Sequence, residues 1–155
     1  MEFTPIESSS DTTEIRELFL EYARSLNFKF CFDSFDQEVS ALPGEYAPPH
    51  GRLVLCRVKG AAAGCIALKR LQSDSCEMKR LYVRPEFRGR ELGRALVNHL
   101  IGEARTVGYK FMRLDTIPES MPHAVALYRS FGFREIPPYD ASPVRGAMAM
   151  QLDLK

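Results

Sequence analysis

The stretch that decides the fold is Lys79 to Arg94, KRLYVRPEFRGRELGR. It begins as an apolar strand, turns at Arg84-Pro85, and enters a helix through Arg88-Gly89-Arg90-Glu91-Leu92-Gly93. A strand feeding a glycine-containing loop that opens a helix presents unpaired backbone N–H groups together with the positive end of the helix dipole, which makes an anion site. Six cations (Lys79, Arg80, Arg84, Arg88, Arg90, Arg94) stand here against two acids, Glu86 and Glu91. The plainer reading is that arginines crowd any exposed loop and that the glycines serve turns. The stretch is neither a P-loop, which needs G-x-x-x-x-G-K-[ST], nor a dinucleotide fingerprint, which needs G-x-G-x-x-G.

Outward from this stretch, the pattern alternates between strand and helix. Upstream, RLVLCRV (52–58), AAAGCIALKRL (61–71) and SCEMKRLYV (75–83) are strand-like runs with short polar links, which predicts an antiparallel meander. Downstream, Leu92, Leu96, Leu100, Ala104 and Val107 share one face of a helix from Glu91 that stops at Gly108. FMRLDT (111–116) reads as a strand, SMPHAVALYRSF (120–131) as a helix with Ser120 as its cap and Gly132 at its end, and FREI with GAMAMQLDL (146–154) as two closing strands. Towards the N-terminus, Ile15, Leu18, Phe19, Tyr22 and Leu26 form a helical stripe, with Asp11 and Glu14 spaced as a capping box. A short strand over 2–7 precedes it, and a short helix over 34–42 lies before PGEYAPPHG (43–51). The order is strand, two helices, three strands, helix, strand, helix, two strands. The fold class is therefore α/β (α+β), a mixed, mostly antiparallel sheet with helices packed on it.

Composition sets the outer bounds. A chain of 155 residues that is 45% hydrophobic and 26% charged suits one folded domain, 1–155, and argues against disorder. A net charge of +1 excludes wholesale polyanion binding, so nucleic acid is not expected as a partner and any anion site is local. Cys31, Cys56, Cys65 and Cys76 show no metal-ligand spacing and read as reduced packing residues; no metal is expected. The N-terminal MEFTPIESSSDTTE has no signal-peptide pattern and no apolar run reaches about 20 residues, so the expected location is the cytoplasm, without a membrane partner.

Met78 to Leu96, MKRLYVRPEFRGRELGRAL, resembles motif A of the GNAT family of acyl-CoA-dependent N-acetyltransferases, with its Q/R-x-x-G-x-G/A loop. Arg88 fills the first position and Gly93 the last, while Glu91 replaces the middle glycine. A second segment, AVALYRSFGF (124–133), resembles the family's A-x-x-L-Y-x-x-x-G-F. With the element order, the resemblance covers essentially the whole chain and implies a sheet of six to seven strands flanked by about four helices. It implies acetyl-CoA as cosubstrate, with Leu81, Tyr82 and Val83 offering main-chain groups to the pantetheine arm. The loop Arg88, Gly89, Arg90, Glu91, Leu92, Gly93 and Arg94 would wrap the pyrophosphate. Glu91 is expected to point outward, though its charge opposes the pyrophosphate, and Met121 stands where many members have a cofactor-contacting Asn. The implied partners are acetyl-CoA and an amine substrate, with a homodimer left open.

Transfer of an acyl group to an amine needs loss of a proton from the ammonium, a donor for the oxyanion, and an acid for the departing thiolate. By the same resemblance Tyr128 is the candidate acid, against a role as core aromatic. Glu77, eleven positions before Arg88, is the candidate base, against an ordinary strand-edge carboxylate. The N–H of Leu81 or Tyr82 is the candidate donor to the thioester carbonyl. Phe28, Phe30, Phe32 and Phe35 either shape an acceptor pocket or fill the core. Asp33, Asp36, Glu38 and Glu45 either favour a cationic acceptor or form a solvated face. His50 follows Pro48-Pro49 in a loop and His99 lies mid-helix, while His123, in the first turn of the final helix, either reaches the acceptor side or serves as a surface or capping residue. The reading from another class is a non-catalytic acyl-CoA-binding or interaction module; an enzyme using a longer acyl-CoA is a third.

Overall fold

A computed structural model describes residues 1–25, 32–119, 121–139 and 146–154, and the side chains of α2 from Phe35 onward. Its strands are β1 (Glu2–Pro5), β2 (Arg52–Val58), β3 (Ala61–Gln72), β4 (Ser75–Val83), β5 (Phe111–Thr116), β6 (Arg134–Ile136) and β7 (Met148–Asp153). They form one seven-stranded sheet in the order β1-β2-β3-β4-β5-β7-β6, antiparallel throughout except for the parallel pair β4–β5. Four α-helices accompany it among the described residues: α1 (Thr13–Ser25), α2 (Phe32–Ser40), α3 (Leu92–Val107) and α4 (Pro122–Ser130). The meander β2–β3–β4 follows from its short polar links, and β7 slots between β5 and β6 to close the sheet.

The sheet separates two apolar cores. On one face α3 buries Leu92, Leu96, Val97, Leu100, Ile101 and Ala104 against Val54, Cys56, Ile66, Cys76, Met78, Met112 and Leu114, with Tyr128 of α4 in the same cluster. On the other, Ile15, Leu18 and Phe19 of α1 and Phe35 and Val39 of α2 pack with Leu53, Leu55, Cys65, Ala67 and Tyr82. Each fully buried aliphatic side chain contributes about 1.5–3 kcal/mol. The run Ala62–Leu68 is buried at every position, as suits a strand covered on both faces.

Three local expectations change. The helix of the N-terminal stripe starts at Thr13, after a 3-10 turn over Ser9–Asp11, and the expected capping box does not form. Thr12 donates its hydroxyl to Ser9 O at 2.9 Å, while Glu14 is drawn across to Arg57 of β2 at 3.0 Å, a stronger charge-assisted contact than a backbone cap. The first strand ends at Pro5, whereas Ile6 turns into the core and makes one further backbone bond to Leu53. Met121, not Ser120, is the residue before α4; Ser120, Leu26 and Cys31 lie outside the described residues. Cys56, Cys65 and Cys76 are buried free thiols, and burial pushes Cys76 up to about 12, so they are inert packing groups.

Candidate active site

The site begins where β4 and β5 part. They pair only through Ser75–Phe111, Cys76–Met112 and Glu77–Arg113, after which β5 follows β7 and β4 continues with β3 alone. From Met78 to Val83 the second edge of β4 is therefore open. Its register against β3 slips between Cys65–Tyr82 and Ala67–Lys79, leaving Arg80 and Leu81 opposite Ile66. That β-bulge holds Arg80 at a left-handed φ of 61° and re-aims the N–H groups beside it. Gly64 makes the bulge possible: a Cβ there would stand 2.6 Å from Tyr82 O. Sequence reasoning missed Gly64, because its need arises from a strand eighteen positions away.

Beyond β4, a 3-10 turn over Pro85–Phe87 leads into the loop. Gly89 and Glu91 both adopt left-handed backbone, φ 81° and 62°, and α3 opens at Leu92 with no side-chain cap and no acid in its first turn. Its leading N–H groups are thus left for an anion. The Glu91 carboxylate turns away to Arg94 at 3.0 Å, and Arg94 also reaches Ser130 of α4 at 3.1 Å. The basic stretch is not one patch. Arg80 and Arg84 belong to the opposite face, paired with Glu38 and Glu21, and Lys79 faces Glu77. Only Arg88 and Arg90 have no carboxylate partner among the described residues. Arg88 donates to Val83 O at 3.0 Å and lies over Tyr82, and Arg90 lies over Phe87.

Glu77 sits at the last paired position before the strands part and is 7% exposed. Because Cys76 and Met78 point into the α3 core, strand alternation sends Glu77 to the α1/α2 face. There the Tyr139 hydroxyl donates to Glu77 Oε2 at 2.6 Å, and the ammonium groups of Lys69 and Lys79 each stand 3.8 Å from Oε1. The Arg113 guanidinium covers the Tyr139 ring at 5.8 Å and donates to Gln151 at 2.8 Å. Burial holds the Lys79 ammonium below its ordinary range. Nearby, Arg80 grips Glu38 through two bonds of 2.8 and 2.9 Å. Burial alone would raise the Glu38 carboxyl, but Arg80 outweighs it and holds the group below the usual carboxylate range.

Tyr128 lies on the other face, 6% exposed, edge-on to Phe133 with ring centroids 5.8 Å apart. Its hydroxyl has no hydrogen-bond partner among the described residues. Burial, and secondarily the Tyr22 phenol of α1, pushes its pKa up, so the proton stays on the oxygen at neutral pH. The buried Thr116 hydroxyl at the end of β5 likewise has no partner among the described residues, and strand alternation puts it on the same side as Met112 and Leu114. An open strand edge, uncapped helix N–H groups, two uncommitted arginines and an orphan hydroxyl together fit an elongated, phosphate-bearing ligand.

Residues 12–133 match the acetyltransferase (GNAT) family. An uncharacterized N-acetyltransferase of Schizosaccharomyces pombe is 38% identical over 146 residues, covering 93% of this chain and 89% of that protein. The chain belongs to the acetyltransferase (GNAT) family. An acetyltransferase of the GNAT family from Staphylococcus aureus superposes with a TM-score of 0.81 at 23% identity, covering 99% of this chain and 100% of that one. The fold is also that of yncA from Salmonella typhimurium, solved with its cofactor acetyl-CoA, at a TM-score of 0.71 and 20% identity, covering 100% and 95% of the two chains. The activity of this GNAT chain is acetyl transfer, with acetyl-CoA as cosubstrate.

The expected residues distribute over both faces of the sheet. Leu81, Tyr82 and Val83 line the free stretch of β4, and Arg88 to Arg94 form the loop and first turn of α3. Gly93 has room for a side chain, its nearest described neighbour being Leu127 at 3.7 Å, so no contact among the described residues demands a glycine there. Met121 is half-buried at the head of α4. Phe35 fills the α2 core beneath the Arg80 guanidinium, whereas Phe28, Phe30 and the side chains of Phe32 and Asp33 lie outside the described residues. Asp36 is exposed. His50 contacts Arg70, His99 stacks on Phe3, and His123 is exposed in the first turn of α4. Among the described residues no group of three or more His, Cys, Asp or Glu is gathered as metal ligands would be, and no helix is long and apolar enough to cross a membrane. Sequence reasoning assigned no role to Lys69 or Lys79, and it reached Tyr139 only as part of the closing loop 137–146 beside the acceptor; their contacts appear once Glu77 has its neighbours.

Proposed function

We propose that the chain, as a single domain over 1–155, acetylates a primary amine of a small molecule or peptide by direct transfer from acetyl-CoA in a ternary complex, in the cytoplasm. The observation that carries this reading is the parting of β4 and β5. It opens a passage between a face bearing backbone donors and Tyr128 and a face bearing Glu77. The free edge of β4 at Leu81, Tyr82 and Val83 holds the pantetheine arm. The loop from Arg88 to Arg94, with Gly89, Arg90, Glu91, Leu92 and Gly93 between, holds the pyrophosphate through main-chain N–H groups.

In the reaction, Glu77 takes a proton from the ammonium of the acceptor and the freed nitrogen attacks the thioester carbonyl carbon. The new N–C bond forms while the C=O electrons move onto oxygen, where an N–H beside the bulge stabilises them. Collapse re-forms C=O and breaks the C–S bond as Tyr128 gives its proton to the departing thiolate; the nitrogen sheds its second proton to solvent as the amide forms, solvent reprotonates the Tyr128 oxygen, and Glu77 releases the proton it took. Glu91 and Met121 are the departures that would favour a non-catalytic acyl-CoA-binding module, and of these Glu91 turns its carboxylate towards Arg94.

Thiol release tests the proposal across small amines, polyamines, amino acids and peptide N-termini. The expected result is CoA production with at least one acceptor, falling by a factor of about 10²–10⁴ in Glu77→Gln while acetyl-CoA still raises the melting temperature. A folded chain that binds acetyl-CoA and releases no CoA with any of them sinks the enzymatic reading.

A further inference from the structure

Beneath α2, on the Glu77 face, lies a cavity of about 410 Å³ whose described lining includes Glu38, Glu45, Tyr46, Lys69 and Lys79. The volume suits a small molecule. Four acids in the sequence nearby suggested a cationic acceptor, but the structure has spent the two that line the cavity. Glu38 is held by two bonds from Arg80, and Glu45 is paired with Lys69 at 3.2 Å. Glu77 already receives the Tyr139 hydroxyl and faces two ammonium groups. Among the described lining residues an acceptor carrying several positive charges therefore meets no uncommitted carboxylate, and Lys69 and Lys79 repel it.

Lys79 is in the opposite condition. Its only ion pair among the described residues is the 3.8 Å approach to Glu77, too long for a hydrogen bond, and no described acceptor takes its protons. The ammonium is part-buried, with its side chain 28% exposed, at the wall of the cavity. A half-buried charge with unused donors is a costly arrangement that a ligand carboxylate relieves. Glu77 and Lys79 thus form a pair of opposite charges 3.8 Å apart, and a molecule bearing an ammonium and a carboxylate on neighbouring atoms closes a ring of four alternating charges with them.

We propose that the acceptor is an amino acid or a close analogue with a free carboxylate beside the amine, and that Lys79 is the specificity-determining residue that receives that carboxylate. This rests on the acetyl-transfer reading above. Glu77 then meets the amine of a molecule whose own negative charge offsets the two lysines, and selectivity against plain amines follows from the unpaired ammonium they leave.

The test measures CoA release with the protein amino acids, each set against its own carboxamide and the matching decarboxylated amine, together with spermidine and a tripeptide with a free N-terminus. One or more amino acids are expected to be turned over at least about tenfold more efficiently than their carboxamides, the worth of one charge-assisted hydrogen bond. Lys79→Met is expected to collapse that preference, chiefly by raising the KM of the acid, and Lys79→Arg to retain much of it; a persisting thermal shift with acetyl-CoA shows that the variants are folded. Carboxamides, spermidine or the tripeptide used as well as the acids overturn the proposal and leave acetyl transfer standing. Equal loss of kcat on acid and amide in Lys79→Met also overturns it, making Lys79 a positioning partner of Glu77. If acetyl-CoA binds and no compound releases CoA, the acetyl-transfer reading falls and takes this proposal with it.

Discussion

The two faces of the sheet meet at the same split between β4 and β5 but are built in opposite ways. On the α3 face the proposed binding groups are main-chain atoms of one continuous stretch, Leu81 to Arg94, shaped by Gly89, the left-handed Glu91 and an uncapped helix start. On the α1/α2 face they are side chains drawn from distant positions: Glu38 with Arg80, Glu21 with Arg84, and Tyr139 with Glu77, separated by 42, 63 and 62 residues. A backbone cradle suits a phosphate-bearing ligand whatever the side chains around it. Paired side chains instead select one acceptor by charge and shape. On the proposed reading, cosubstrate binding belongs to the local element and acceptor choice to the long-range one.

The largest effect separates the two faces cleanly. Tyr128→Phe removes a hydroxyl with no hydrogen bond among the described residues, so stability should change by less than about 0.5 kcal/mol. Turnover should drop by a factor of about 10²–10⁴ while acetyl-CoA affinity stays within about twofold, because only the proton for the thiolate is lost. Steady-state kinetics with a parallel melting curve decide this. If kcat is unchanged, Tyr128 is a core aromatic and the acid lies elsewhere.

A smaller effect belongs to the other face and is read in stability. Arg80→Met leaves the Glu38 carboxylate part-buried without its partner, which should cost about 3–5 kcal/mol in urea unfolding at neutral pH. The sign with pH follows from the shift. Glu38 is held below its ordinary range, so the pair stabilises the fold fully above the unfolded carboxyl pKa of about 4.3 and loses that contribution as pH falls through the lower folded value. The difference between wild type and Arg80→Met should therefore shrink as pH is lowered from 7 towards 3. A difference that stays constant would mean that the bulge geometry at Arg80, not its charge, carries the stabilisation.

What the sequence disclosed follows the same division. The α3 stripe, the meander and the stop at Gly108 were legible because periodicity and turn chemistry act within a few residues, and the Arg88 loop was legible because its geometry needs a particular local run. The six cations of Lys79 to Arg94 do not act together. Sequence shows that the cations are neighbours but not that the bulge at Arg80 sends Arg80 and Arg84 to acids on α2 and α1. The failed capping box has the same origin, since Glu14 prefers a guanidinium on β2 that no local rule places beside it. Gly64 and Tyr139 become significant only through Tyr82 and Glu77, 18 and 62 positions away, and Lys69 only once β3 and β4 pair it with Glu77.

The smallest effect sharpens the one departure within the local element. Glu91 occupies the middle-glycine position of the loop with the backbone a glycine would adopt, φ 62°, and its carboxylate faces Arg94. Glu91→Gly removes a left-handed side-chain strain of about 1–2 kcal/mol. It also gives up an exposed ion pair worth about 0–1 kcal/mol and raises the freedom of the unfolded chain by about 0.4–1 kcal/mol. The stability terms nearly cancel, so the melting temperature should move little. Acetyl-CoA binding should tighten by about two- to fivefold at low salt, because a negative charge near the pyrophosphate is gone, and the gain should shrink as salt screens it. Glu91→Gln separates the causes: equal tightening in both variants assigns the effect to charge, and tightening in the glycine variant alone assigns it to the backbone. If neither variant binds acetyl-CoA more tightly, the outward turn of Glu91 already removes its influence, and the departure from the family's loop is neutral for the cosubstrate.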